Sequence, residues 1–430
     1  MNRKGMTTVF ICLLAGTIVS IVLMFILLAN KEAAVSYSSA VFNLSGRSVL
    51  SEYDRELYDR YGLIAFYGNV SEIDEKISSY ADYSFKDNPY VSYGKLDVNL
   101  RSYGMTDKEI FKNEVAECVK AHEFFIGEEE KERVSVTTGK RVLRNREVIG
   151  GLPSSAISDT GFSLTEIKNT IKGLSSIDSI ITGGTSEFYC SQYIFHYFTT
   201  GQSKTLEDER EVRFFHNEVE YILYGNHSDD ENVKEFRDGF MTVRVPLNII
   251  FLENNAAKKA EIKAFVESFN AAIDAATGGA GAPVTELAKP LEEAAVKACW
   301  AYIEANNDWN RLKKGYRVPI TKTPSTWATD LDSAGENIKE MIKSGSEKIN
   351  PDENAQIKNP DDDEGLCYDE YLKVFLHFLP EDIKYARMAD IIEINLKGTY
   401  WGNIRMKDLY TGFKFKVKVN GREHSYDEKY

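Results

Sequence analysis

Residues Val9–Ala29 read VFICLLAGTIVSIVLMFILLA, twenty-one residues without a charge. At about 1.5 Å per helical residue they extend about 31 Å, the thickness of a bilayer's hydrocarbon core, about 30 Å. Fourteen of them are Leu, Ile, Val or Phe. At roughly 0.3 to 0.6 kcal/mol each, these favour insertion by about 4 to 8 kcal/mol. Gly16, Thr17 and Ser20 are small, and the two hydroxyls can bond back into the helix. Arg3 and Lys4 precede the span, whereas Lys31 and Glu32 follow it and cancel. The positive-inside rule therefore puts residues 1–8 in the cytoplasm, 9–29 across the membrane and the rest outside. A cleaved secretory signal has an apolar stretch of about 7–15 residues ending in an A-x-A pattern. Here the stretch is longer and ends Leu27-Leu28-Ala29, so a retained anchor is expected.

Residues 30–61 keep helical spacing. Tyr37, Val41, Leu44 and Ser48, then Leu50, Tyr53, Leu57 and Tyr61, recur at steps of three and four. No proline occurs before Pro89, and Gly62 is a natural stop. An unbroken helix from Val9 to Tyr61 would be about 80 Å long. The Ala- and Ser-rich stretch Ala33–Ala40 would let a second helix approach closely. Two readings of this stalk stand side by side: it docks on its own head, or it packs against another molecule. A fragment starting near Gly62 is expected to fold alone.

With 430 residues the chain exceeds one ordinary core, so at least two lobes are expected, over 62–200 and 201–430. The 24 Tyr and 23 Phe can fill large cores and argue against disorder. A net charge of −14 repels phosphate backbones, which excludes nucleic acid as a partner and disfavours broad docking on anionic lipid. Cys118, Cys190, Cys299 and Cys367 are widely spread without C-x-x-C spacing and read as small buried hydrophobes, though extracellular pairing stays open.

Several helices are legible. Thr106-Asp-Lys-Glu109 reads as a capping box opening a helix through about Phe125. Val212, Phe215, Val219 and Ile222 form a stripe closed by Gly225. Ser228-Asp-Asp-Glu231 caps a helix that Pro246 should kink or end. Ile262, Phe265, Phe269 and Ile273 mark another, followed by Leu287, Leu291, Ala294, Ala298 and Tyr302. Tyr368–Leu379 and about 382–395 complete the set. Strand signals are fewer. Leu96, Val98 and Leu100 alternate with polar residues, and Phe413, Phe415, Val417 and Val419 run into the hairpin turn Asn420-Gly421. The fold class is α+β, helix-dominant: a transmembrane helix, a helical stalk and a large extracytoplasmic globular region.

Motifs for chemistry are missing. No G-x-S-x-G, H-E-x-x-H, G-x-x-x-x-G-K or C-x-x-C occurs. The six histidines, His122, His196, His216, His227, His377 and His424, stand far apart. Gly279-Ala-Gly281 has no strand before it, so it is not a dinucleotide loop. Asn359, Asp361, Asp363 and Glu370 fall at calcium-loop positions one, three, five and twelve, but the glycine sits at seven instead of six. No catalytic, cofactor-binding or metal-ligating residue is assigned, and no cofactor is expected.

Arg3-Lys4-Gly5, followed at once by the apolar helix, resembles the N-terminus of the pseudopilin-like E and G proteins of tight-adherence (Tad) pilus loci. Over most of its length the chain resembles an uncharacterised Gram-positive family found with such loci. Lys4–Thr8, Ser51–Leu63, Leu152-Pro-Ser154, Glu218–Gly225 and Ala386–Asn395 carry that likeness. The resemblance implies an envelope location, pilus assembly proteins or pilins as partners beside membrane lipid, and a processing site between Gly5 and Met6. Pilins of this kind carry glutamate five residues after the cut, where this chain has Phe10. The leading expectation is a minor pilin-like or accessory envelope protein. Two other classes remain: a surface adhesin using its aromatic-rich head, and a membrane-tethered cell-wall hydrolase.

Overall fold

The computed structural model describes residues 3–122, 135–139, 151–157, 163–171, 185–203, 213–276, 291–344, 364–399 and 404–430. Helices dominate, with a few small sheets, as the sequence pattern requires. The chain divides into two compact units, the first of residues 1–114 with 401–430 and the second of residues 115–400. This division does not follow the expected boundary at residue 200. The C-terminal strands return to pair with a strand near residue 98, so the two ends of the chain share one core.

In the first unit, α1 runs unbroken over Arg3–Leu50. Within its apolar half, Thr17 Oγ1 donates to the Leu14 carbonyl at 2.8 Å and Ser20 Oγ to that of Gly16 at 2.9 Å. The helix stops short of the expected Tyr61. At Ser51–Asp54 the chain turns: the Asp54 N–H bonds the Ala65 carbonyl at 2.8 Å, and the Asp54 carboxylate caps Leu57 N. A separate short helix, α2, spans Arg55–Tyr61 and ends at Gly62 in the left-handed conformation. A tertiary bond and a local cap therefore outcompete continued helix.

The outer half of α1 docks on its own unit. It packs on α3 (Val70–Phe85) and on a three-stranded antiparallel sheet of β2 (Asp97–Asn99), β4 (Gly412–Val419) and β5 (Arg422–Lys429). Phe42, Val49, Ile73, Ile77, Val98, Phe413, Phe415 and Val417 form the core between them. A second small pairing joins β1 (Phe66–Tyr67) to β3 (Leu409–Tyr410). Asn420 and Gly421 both have positive φ, 49° and 84°, as a two-residue hairpin turn demands. Gly46 is where α1 meets the hairpin: a Cβ there would lie 2.7 Å from Glu428 Cγ and 3.3 Å from Phe415 Cε1. Glu428 could swing aside but the buried Phe415 ring could not, so Gly46→Val should cost about 1 to 3 kcal/mol. An unchanged midpoint in urea denaturation would contradict this packing.

Helix α4 (Lys108–His122) spans the boundary between the units. Its cap is Asp107, whose carboxylate accepts from Glu109 N at 3.0 Å and Ile110 N at 3.4 Å, one residue beyond the expected Thr106. Phe125 lies outside the described residues.

The second unit is helical: α5 (Leu164–Ile171), α6 (Ser186–Tyr197), α7 (Glu218–Tyr224), α8 (Asp229–Asn254), α9 (Ala256–Ala276), α10 (Glu293–Lys313), α11 (Leu331–Ser344), α12 (Tyr368–His377) and α13 (Glu381–Thr399). Helix α8 continues through Pro246. Side chains on both sides of the proline bind it to neighbours. Arg244 bonds Asp308 and the Ile320 carbonyl, and Asn248 Nδ2 donates to the Ala301 carbonyl at 3.1 Å. Helix α7 is shorter than its stripe: Phe215 precedes it and Val212 lies outside the described residues, as does Leu287, expected at the head of the stripe that becomes α10. Leu252, Ile262, Val296, Trp300, Trp327 and Ile338 make one core of this unit.

Candidate functional site

Two buried polar clusters organise the second unit. The first joins α8 and α10 to the segment after Val318. Arg244 Nε lies 2.8 Å from Asp308 Oδ2, and Lys322 Nζ lies 2.7 Å from Asp308 Oδ1 and 2.5 Å from Glu304 Oε1. Glu304 also accepts from the backbone N–H groups of Ala328 and Thr329 at 3.1 and 2.9 Å. Burial alone would raise the Asp308 carboxyl, but Arg244 and Lys322 beside it hold it below its ordinary range. Two cations face two carboxylates, so the cluster is neutral as well as buried.

The second cluster gathers around α7. Its sequence, Glu218-Val-Glu-Tyr-Ile-Leu-Tyr, places Glu218, Glu220 and Tyr221 inside the fold with Val219 and Ile222. Glu218 accepts from Arg213 Nη1 at 2.7 Å, Asn395 Nδ2 at 2.7 Å and Thr199 N at 3.0 Å. Glu220 Oε1 accepts from Tyr368 OH at 2.8 Å and Gly201 N at 2.9 Å. Asp390 accepts from Ser154 N at 2.9 Å and Tyr221 OH at 3.1 Å. Asp229, at the start of α8, accepts from Gly139 N at 2.9 Å and His216 N at 3.1 Å. Arg387 Nη1 donates to the carbonyls of Ile222 and Leu223, at 3.1 and 2.7 Å. Asn395 Oδ1 takes the Phe214 N–H and Asp229 takes those of His216 and Asn217, so the backbone before α7 is withdrawn from helical pairing and the expected stripe starts late.

Three stretches far apart in sequence, Leu152-Pro-Ser154, Glu218–Gly225 and Ala386–Asn395, thus meet in one hydrogen-bonded hub. Sequence reading singled them out without seeing that they touch. Periodicity assigns glutamates to a solvent face, and only the convergence of distant partners reverses that.

Among the described residues no cation pairs with Glu220, and burial pushes its carboxyl up to about 7 against weaker opposition from Gly201 N and Tyr368 OH. Burial likewise lifts Asp390 to about 6. Both side chains are fully shut from solvent, so they form no open acid–base pair of the kind a hydrolase presents to substrate. Their effect is on stability. A carboxyl raised above its unfolded value of about 4.5 binds more protons folded than unfolded, so stability falls as pH rises from about 4.5 to about 7. For Glu220 the loss is about 3 kcal/mol by pH 8. Glu220→Gln should flatten that part of the pH–stability curve and melt higher than the parent at pH 8. Parallel curves for the two proteins would exclude this role.

The remaining sequence candidates do not assemble. Among the described residues no group of three or more His, Cys, Asp or Glu side chains is placed to hold a metal. Asn359, Asp361, Asp363 and the Gly279–Gly281 loop lie outside the described residues. Glu370 is engaged elsewhere, accepting from Cys367 N at 2.7 Å and pairing with Arg317 at 2.8 Å. His216 Nε2 lies 2.8 Å from Thr137 Oγ1, and burial lowers His377. All five cysteines are described and no two are bonded to each other. Burial raises the Cys190 and Cys367 thiols to about 11, the mark of inert packing groups.

Gly5 and Met6 lie in the opening turns of α1. Just beyond them, the large apolar side chains from Val9 to Leu28 are 46–68% exposed. The helix is long and apolar enough to cross a membrane.

No curated protein and no solved structure matches this chain. A family profile matches residues 134–421, about two thirds of the sequence, including Leu152-Pro-Ser154, α7, α13 and the β4 strand. The chain belongs to the DUF5702 family, a family of unknown function.

Proposed function

We propose that the protein is a membrane-anchored cell-envelope component, minor pilin-like or accessory to a tight-adherence pilus. One observation carries the reading. A single helix has an apolar half whose large side chains are exposed and an outer half seated on an antiparallel sheet. That is the build of a subunit held in lipid by one end of a helix and presenting a folded head from the other. The first residues are cytoplasmic, the head is extracytoplasmic, and lipid is the partner of Val9–Ala29. Gly5-Met6 stands at the front of this helix, where a prepilin-type peptidase would cut at the cytoplasmic face. Phe10 occupies the place of the carboxylate that pairs with a neighbour's new amine, so bulk polymerisation is disfavoured. A minor or accessory role follows.

Mass spectrometry of the chain extracted from its native membrane should find a start at Met6. A photo-crosslinker at Leu44, 67% exposed on the outer half of α1, should capture pilins or pilus assembly proteins in cells. An intact N-terminus together with no adduct to such proteins would overturn the reading.

A further inference from the structure

The β4–β5 hairpin is strung along α1 in matched steps. Arg422 donates to both carboxylate oxygens of Glu32, at 2.7 and 2.8 Å. Tyr426 OH lies 3.3 Å from Ser39 Oγ, Glu428 lies against Gly46, and Tyr430 OH donates to the Leu50 carbonyl. From Glu32 to Leu50 the helix climbs about 27 Å at ~1.5 Å per residue, and from Arg422 to Tyr430 the strand climbs about 26 Å at ~3.3 Å per residue. The two run side by side, so the Asn420-Gly421 turn points down toward the apolar half of α1.

The height of that turn can be placed against a bilayer. Glu32 stands three residues beyond Ala29, about 4.5 Å along the helix. Each headgroup layer is about 5 to 7 Å thick, from a total of ~40–45 Å around a ~30 Å core. The turn therefore lies at headgroup level. A second loop is pinned to it: Asn420 Nδ2 donates to the Tyr90 carbonyl at 2.9 Å, Ser92 N to Asn420 Oδ1 at 3.0 Å, and Asn420 N to the Ser92 carbonyl at 2.8 Å. Tyr37, about 7.5 Å above Glu32 along α1, donates through its OH to the Ser84 carbonyl at 3.2 Å, and from there the chain descends to Tyr90 at the turn.

The side chains at this end differ from the rest of an acidic protein. Tyr83 is 86% exposed and Tyr90 47%. Lys31, Lys86 and Lys418 are exposed, against the exposed carboxylates of Asp82, which accepts from Tyr93 OH, and Asp87. Arg422 and Glu32 satisfy each other, and Glu423 lies 3.5 Å from Lys416. Exposed tyrosines with a small excess of lysine suit a lipid–water interface.

We propose that this end of the first unit is a second membrane foot. Tyr83, Tyr90 and the Asn420-Gly421 turn sit among lipid headgroups, and Lys31, Lys86 and Lys418 meet their phosphates. The foot rests on the membrane reading of α1 and adds to it, because two points of attachment fix the tilt of the unit that a helix alone would leave free.

The test uses the full chain reconstituted in vesicles of phosphatidylcholine and phosphatidylglycerol. Tryptophan is introduced at Tyr83 in the foot, at Leu14 in the span and at Tyr67, which is 49% exposed near the opposite end of the hairpin's pairing. Quenching by lipid nitroxides, carried on the headgroup or midway along the acyl chain, is read as the difference from the parent protein. Tyr83→Trp should be quenched several-fold more by the headgroup label than Tyr67→Trp, and Leu14→Trp most by the acyl label. Quenching of Leu14→Trp with none of Tyr83→Trp would overturn the foot and leave the anchor standing. No quenching of Leu14→Trp would remove the anchor, and the foot with it.

Discussion

A chain beginning at Gly62 should lose the unfolding transition of the first unit, whereas one beginning at Asn30 should keep it. The sequence pattern suggested that a fragment from Gly62 would fold alone, because the amphipathic stripes lie beyond that point. The structure reverses this. Val35, Phe42, Val49 and Leu50 on α1 are buried at 8% exposure or less, the last three in one core with α3 and the sheet. At roughly 1.5 to 3 kcal/mol per buried side chain, their loss removes about 6 to 12 kcal/mol. A whole domain is stable by only about 5 to 15 kcal/mol. Leu57 and Tyr61 of α2 are lost as well, both buried. The exposed core of Phe413, Phe415 and Val417 would then promote aggregation. The chain beginning at Asn30 sheds the apolar segment, whose large side chains from Val9 to Leu28 are exposed, and it should be soluble without detergent. Calorimetry of the two fragments decides the matter: equal transitions in both would mean that α1 is an accessory to the unit and not part of its core.

Asp308→Ala should destabilise the second unit by about 3 to 5 kcal/mol, the usual result of stripping one partner from a buried ion cluster. The substitution leaves the Arg244 guanidinium buried without its Asp308 partner and the Lys322 ammonium with Glu304 alone of its two carboxylates. Removing an exposed pair is the fitting control. Lys263 and Glu267 are about two thirds exposed at 3.8 Å, and Lys263→Ala should shift stability by less than about 1 kcal/mol. The pH dependence has a definite sign. Asp308 is held below its unfolded value, so its contribution is present above about pH 4 and is lost as pH falls through the folded value. The parent and Asp308→Ala should therefore converge in acid. A variant that unfolds at the parent's urea midpoint at pH 7 would show that the cluster adds nothing to the fold.

Local signals decided a large part of this molecule in advance. The uncharged run Val9–Ala29 and the stripes of α9, α10, α12 and α13 report the chemistry of residues three and four apart, and that spacing is a property of the chain alone. The turn at Asn420-Gly421 is legible for the same reason, since positive φ at two successive residues is a demand few residues meet. Tertiary structure decided the rest. α1 ends at Leu50 because Asp54 finds the Ala65 carbonyl, and α8 passes Pro246 because Arg244 and Asn248 are tied to α10 and its surroundings. Glu218 and Glu220 lie inside because Tyr368, Asn395, Arg213 and Gly201 converge on them from distant parts of the chain. The physical reason is common to all three. A buried polar group is tolerable only once its partners arrive, and partners drawn from separate segments leave no periodic trace beside the residue they satisfy.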